Sequence, residues 1–223
     1  MTDQRAVIDG LKARWRTHVQ MLGNFDASIV GRTFENLCTS YSEKHRHYHT
    51  LTHLTRIFDC LELHGEEIGD PARLAFAAWY HDVVYDARRS DNEAKSGERA
   101  MKELDDLGAD GALRSHVVQL ILATKNHAAG GRDYDDDIFL DADFAILGSP
   151  QDEYRQYVVD VRAEYAHVDD TAWLNGRGGF LKKIAAAPRI FRTGIFEGEY
   201  AEQARENIAW ELSALDALGG GNE

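Results

Sequence analysis

The stretch AFAAWYHDVVYD, residues 75 to 86, constrains the fold more than any other part of the chain. Its apolar side chains follow one another with almost no polar face, so the segment has to be surrounded rather than lie on a surface. Pro71 suits the first turn of a helix, and Leu74, Ala75, Ala78, Trp79, Val83 and Val84 continue it. The pattern predicts a central helix running through His81 and Asp82. An ionised aspartate in such surroundings costs several kcal/mol unless it is paired or bound to a metal. Adjacent helical residues diverge by roughly 100°, yet a long imidazole and a short carboxylate can still converge on one ion and give it a mixed nitrogen and oxygen ligand set.

The remaining patterns are helical too. Ile8, Leu11, Trp15, Val19 and Leu22 recur at helical spacing, and Ile29, Val30, Phe34, Leu37 and Tyr41 repeat it after a break at Gly23 and Asn24. The histidine-dense HRHYHTLTHL leads into Ile57, Phe58 and Leu61 and stops near Gly65, which puts His49 and His53 near the start of a third helix. A polar helix capped by Ser90 or Asp91 should end near Gly108, and another should run from Leu113 to Asn126. Beyond the loop GGRDYDDD, the residues Ile138 to Leu147 read as a short buried helix. Glu153 to His167, Thr171 to Ala186 and Glu199 to Leu218 read as three more, the last containing EQARENIAWEL with Ile208, Leu212 and Leu215 facing inward. No repeat or linker interrupts the pattern. The expectation is an all-α, single-domain helical bundle over residues 1–218 with a flexible tail at 219–223.

Charge and cysteine content narrow the function classes. A formal net charge of −13, with no basic cluster interleaved with aromatics, argues against a nucleic acid partner. It leaves a small phosphorylated substrate open, because a bound divalent cation reverses the local field of its carboxylates. Cys38 and Cys60 are too few for a disulfide framework or a cysteine-rich zinc module, which fits a reducing compartment and a cytoplasmic protein. Neither a signal peptide nor a run of about 18 apolar residues is found, so no membrane association is expected.

His49 and His53 lie four apart and, on one helix, would address the same cavity. The ordered set YHTLTHL, then His81-Asp82, then Asp143 in LDADFAILG, resembles the HD-domain superfamily of metal-dependent phosphohydrolases. Within it the chain looks most like bacterial proteins described as predicted metal-dependent HD phosphohydrolases. The superfamily likeness spans residues 45–148. The narrower one extends through EYAHV, GRGGFL and EQARENIAWEL.

The resemblance implies one divalent metal ion held by His53, His81, Asp82 and Asp143. Asp141 competes for the fourth place, and ADF is similar to the superfamily's AD motif. Positions two apart on a helix face nearly opposite ways, so only one of the two aspartates can point at the ion. YHTLTHL also resembles a cyclic-nucleotide phosphodiesterase signature, which implies His49 as general acid; Thr50 stands where that signature has asparagine, so a cyclic nucleotide is not implied. Glu93 could orient a water or a ligand histidine, while Arg46, Lys125 and His127 are candidates for holding substrate. The expected activity is hydrolysis of a small phosphate ester or anhydride, nucleotides included, by a water that the ion activates. Manganese, cobalt, nickel, iron, zinc and magnesium all suit two imidazoles and two carboxylates. The rival readings are a module that senses a nucleotide without turnover, and a di-iron oxygenase drawing on His116 and His127 for a second ion. Those two residues stand eleven apart, about 16 Å along a continuous helix, which argues against one shared centre.

Overall fold

The computed structural model describes residues 4–23, 25–125 and 131–219. Among them helices account for the regular structure and there is no strand, as the patterning predicts. The helices are α1 (Gln4–Gln20), α2 (Ala27–Ser40), α3 (Leu51–Leu63), α4 (Pro71–Tyr80), α5 (Asn92–Asp106), α6 (Gly111–Thr124), α7 (Tyr134–Phe144), α8 (Gln151–Glu164), α9 (Asp170–Ala185) and α10 (Gly194–Gly219). Short 3-10 turns occupy Gly65–Glu67 and Ala145–Gly148. No described helix is long and apolar enough to cross a membrane. The chain divides into two compact units, Met1–Leu140 and Asp141–Glu223.

In the first unit α4 is the axis. Every residue from Arg73 to Tyr80 is buried, and α1, α3, α5 and α6 all pack against the helix. Trp79 sits among aromatic rings, with Phe58 at 4.7 Å, Trp15 at 5.3 Å and Phe34 at 6.2 Å between centroids. Such rings contribute both apolar area and edge-to-face attraction. Asp70 caps the start of α4 by accepting from the Arg73 amide, with Pro71 in the first turn. The end of α4 departs from expectation. It stops at Tyr80, with His81 as its C-cap, rather than continuing through Val84. Side chains from other elements take the carbonyls of the following residues. Asn92 donates to the Asp86 carbonyl and Ser96 to that of Val84, so the helix has no exclusive claim on this backbone.

Helix ends elsewhere follow local chemistry. α5 ends where Gly108 adopts φ 88°, a left-handed conformation that closes the last turn through Gly108 N–H to the Asp105 carbonyl. Asp91 stands at the N-cap of α5, but its carboxylate is engaged by Arg89 instead of the helix amides.

The second unit is organised by α10, packed on α8, α9 and the Ala145–Gly148 turn. α10 starts at Gly194, five residues ahead of the expected Glu199, because Thr193 Oγ1 accepts from the Phe196 amide as a cap. Its inward face carries Ile208 and Leu215 as expected, and also Asn207 and Glu211, whereas Leu212 is only half-buried. Glu211 accepts from Arg177 Nε at 2.7 Å, Arg177 Nη2 at 3.0 Å and the Tyr154 hydroxyl at 2.6 Å, in a setting where Glu211 is 1 % exposed. Arg177 also donates to the Tyr157 hydroxyl.

Two predictions follow from these buried polar groups. Glu211→Gln leaves the Arg177 charge uncompensated and should lower unfolding free energy by about 3–5 kcal/mol, read by urea denaturation. An Arg177→Met, Glu211→Leu double variant should lose much less. The second concerns His18, whose Nδ1 accepts from Trp79 Nε1–H at 3.0 Å. Burial lowers its pKa from 6.5 to about 4, so between those values the unfolded chain takes up a proton that the folded one refuses. The resulting stability is complete above pH 6.5 and is lost as pH falls toward 4, by about 2–3 kcal/mol. His18→Gln keeps an acceptor for Trp79 and should flatten the pH dependence of denaturation in that window.

Candidate metal centre

The candidate centre begins with the way α4 ends. His81 closes the helix in αR geometry, its amide donating to the Ala77 carbonyl, while its Nδ1 lies 2.9 Å from the Ala78 carbonyl. A carbonyl can only accept, so Nδ1 carries a proton, which leaves Nε2 as the nitrogen through which the neutral ring could bind an ion. That Nε2 is 3.1 Å from His53 Nε2 and 3.2 Å from Asp82 Oδ2. His81 and His53 are 1 % and 3 % exposed. His53 is delivered by the first turn of α3, whose inward face holds Leu54, Ile57 and Phe58.

Asp143 comes from the last turn of α7. Arg73, near the start of α4, forks onto both carboxylate oxygens of Asp133 at 2.8 and 3.0 Å, and Asp135 accepts from the Gly69 and Asp70 amides just ahead of α4. Further along, Phe139 meets the His81 ring edge-on at 6.0 Å. Asp143 lies four residues after Phe139, on the same helix face. One ligand atom each from His53, His81 and Asp143 falls within 4.8 Å of the others, a group that could hold a metal ion. Two ligands about 2.1 Å from one ion and at right angles stand about 3.0 Å apart, close to the spacing of the two imidazole nitrogens. The two imidazoles and the carboxylate therefore suit a metal ion.

Asp141 is turned away. It accepts from the Arg192 amide, the Thr193 amide and the Thr193 hydroxyl, at 2.8 Å in the shortest cases, and so anchors the start of α10. Environment separates the carboxylates further. Burial raises the Asp141 carboxyl above its ordinary range despite those hydrogen bonds. Burial acts the same way on Asp82, but the imidazoles of His81, His49 and His53 outweigh it and hold that carboxyl well below the usual range.

His49 lies two residues before α3 begins, so it does not share a helix with His53 as expected; Thr50 occupies the N-cap between them. The loop still brings the rings to 5.6 Å. His49 stacks on Tyr85 at 4.1 Å, meets Tyr48 edge-on at 4.9 Å, and places Nε2 3.8 Å from Asp82 Oδ2.

Arg46 is not a surface cation aimed at a ligand, contrary to expectation. Its side chain is 0 % exposed, pairs with Glu43, and donates to backbone carbonyls. Lys125 is largely exposed, donates to the Ser90 carbonyl, and lies 3.5 Å from Glu93 Oε2. Glu93 and Lys125 are thus brought together, while His127 lies outside the described residues. His116 is half-buried on α6 and is not part of the metal-type group among the described residues. Sequence reasoning missed the anchoring roles of Asp133 and Asp135, although an acidic run just ahead of a helix is a recognisable signal.

Comparison with family models, with curated proteins and with solved structures finds no match for this chain.

The division of labour between the aspartates is testable. Protein purified without a nickel column should carry a stoichiometric divalent metal, which His81→Ala and Asp143→Asn abolish. Asp141→Asn should retain it while lowering the melting temperature. Metal analysis and thermal unfolding together read the outcome.

Proposed function

We propose that the chain is a metal-dependent phosphohydrolase of the HD-domain type, acting on a small phosphate ester or anhydride, with nucleotides in the candidate class. The observation that carries the metal half of this reading is the His81 ring. Its Nδ1 is turned to the Ala78 carbonyl, and its Nε2 faces the His53 nitrogen and the Asp82 carboxylate. The phosphate half is supported by the order of YHTLTHL, His81-Asp82 and Asp143 along the chain.

His53, His81, Asp82 and Asp143 would hold the ion. A divalent ion supplies Lewis acidity toward a phosphoryl oxygen and lowers the pKa of a water from about 15.7 toward about 7. The Asp82 carboxyl, held below its usual range by the histidines around it, would give the ion an anionic ligand. His49 is held on the Tyr85 face with Nε2 directed near Asp82, a position suited to giving a proton to a leaving oxygen. Lys125, exposed and beside Glu93, is the candidate cation for a phosphate group.

The test is a matrix of divalent metals against phosphomonoesters, diesters and nucleoside polyphosphates, with His81→Ala and Asp82→Ala alongside. Turnover should need metal, stop with a chelator, and fall at least about 100-fold in both variants. Turnover equal in all three proteins refutes the site. A ligand-induced rise in melting temperature with no turnover on any substrate identifies a sensor instead.

A further inference from the structure

Between α4 and α5 the chain is neither helix nor strand, yet five consecutive carbonyls in it are each held by a side chain from elsewhere. Arg46 Nη1 donates to Asp82 O at 2.7 Å and Arg46 Nη2 to Val83 O at 3.2 Å. Ser96 Oγ donates to Val84 O, His45 Nε2 to Tyr85 O at 2.7 Å, and Asn92 Nδ2 to Asp86 O at 2.9 Å. A backbone without a continuous hydrogen-bond ladder of its own depends on such partners. Here the segment so fixed carries Asp82.

Arg46 differs from the other holders. Its Nη1 also donates to the His49 carbonyl at 3.3 Å, so one guanidinium joins the loop that carries His49 to the loop that carries Asp82. The guanidinium lies 5.1 Å from the Tyr41 ring centre and 5.5 Å from that of Tyr85, and Tyr85 is the ring on which His49 stacks. We infer that Arg46 is a positioning residue, which sets the separation of the Asp82 carboxylate and the His49 imidazole and so pre-forms the metal group before any ligand arrives. This rests on the metal-dependent reading above. Five planar donors on one rigid group can bridge three carbonyls, whereas a lysine ammonium is a point charge and cannot reproduce the spread. Partners that orient ligands in this way change metal affinity by about 10–100-fold when removed.

A cleft of about 320 Å³, lined by residues including Tyr41, Glu43, Arg46 and Thr50, opens beside the segment that carries the buried Arg46 side chain. It gives a small cation a route back into the space that truncation of Arg46 would open. The experiment is titration of the full chain with manganese(II) and zinc(II) by calorimetry, for wild type, Arg46→Ala and Arg46→Lys. Each is measured with and without millimolar guanidinium, with sodium as the ionic control, well below the melting temperature of each protein.

Arg46→Ala should bind the ions about 10–100-fold more weakly, guanidinium should restore most of the loss, and Arg46→Lys should fall between. A purely structural role would lower the melting temperature without this rescue of affinity. If Arg46→Ala does not fold, Arg46→Lys carries the test: it must fold and still bind more weakly than wild type. Wild-type affinity in every folded variant, or a loss that guanidinium leaves untouched, overturns the positioning role and leaves the metal reading standing. Failure of the wild type itself to bind either ion overturns both.

Discussion

A helix that ends inside a protein core leaves its last carbonyls without water, and each then needs a donor from the protein. At the end of α4 the Ala77 carbonyl is met by the His81 amide and the Ala78 carbonyl by the His81 ring. The Trp79 carbonyl is met by the Tyr41 hydroxyl and the Tyr80 carbonyl by the Val83 amide. Satisfying this buried terminus is therefore the same act as orienting His81. The ring cannot turn without stranding a carbonyl, and while it stays, Nε2 has one direction in which to point. The apolar segment that had to be buried thus dictates where the candidate chemistry lies.

Much of this was legible in the chain, for reasons that can be named. Helix positions followed from apolar spacing, whereas the caps Asp70, Asp110 and Asp169, each of which accepts an amide in the first turn of its helix, come from the structure. His81 and Asp82 were readable because ionisable groups stand there in an apolar segment, whereas His53 and Asp143 were candidates only through the resemblance of their motifs. Long-range capture of backbone by side chains was not readable. Nothing local announces that Ser96 and Asn92 will hold residues 84 and 86, so the central helix seemed to continue past Tyr80. Arg46 beside a histidine motif suggested a phosphate ligand for the same reason, since its carbonyl partners lie 36 and 37 residues away.

The acidic composition has a similar explanation. Many carboxylates are structural: Asp133 and Asp135 fasten the entrance to α4, Asp136 and Asp137 accept amides from Arg132 and Gly131, and Glu211 neutralises Arg177. A net charge of −13 therefore says little about the candidate centre, where Asp82 is balanced by three imidazoles. Counting acids in the sequence could not separate those that hold backbone from those that face the histidines.

The bonds from Asp141 to Arg192 and Thr193 do more than begin α10, because they fix the rotational phase of the last turn of α7. Asp143 is two residues further on, so its bearing is read from that phase as a hand is read from a dial. Adding or deleting a single residue between Ile138 and Asp141 would swing Asp143 by about 100° relative to the earlier part of the helix. Helix content would barely change. This part of the chain should thus tolerate exchange of one apolar residue for another far better than any change of length, since what it transmits is an angle.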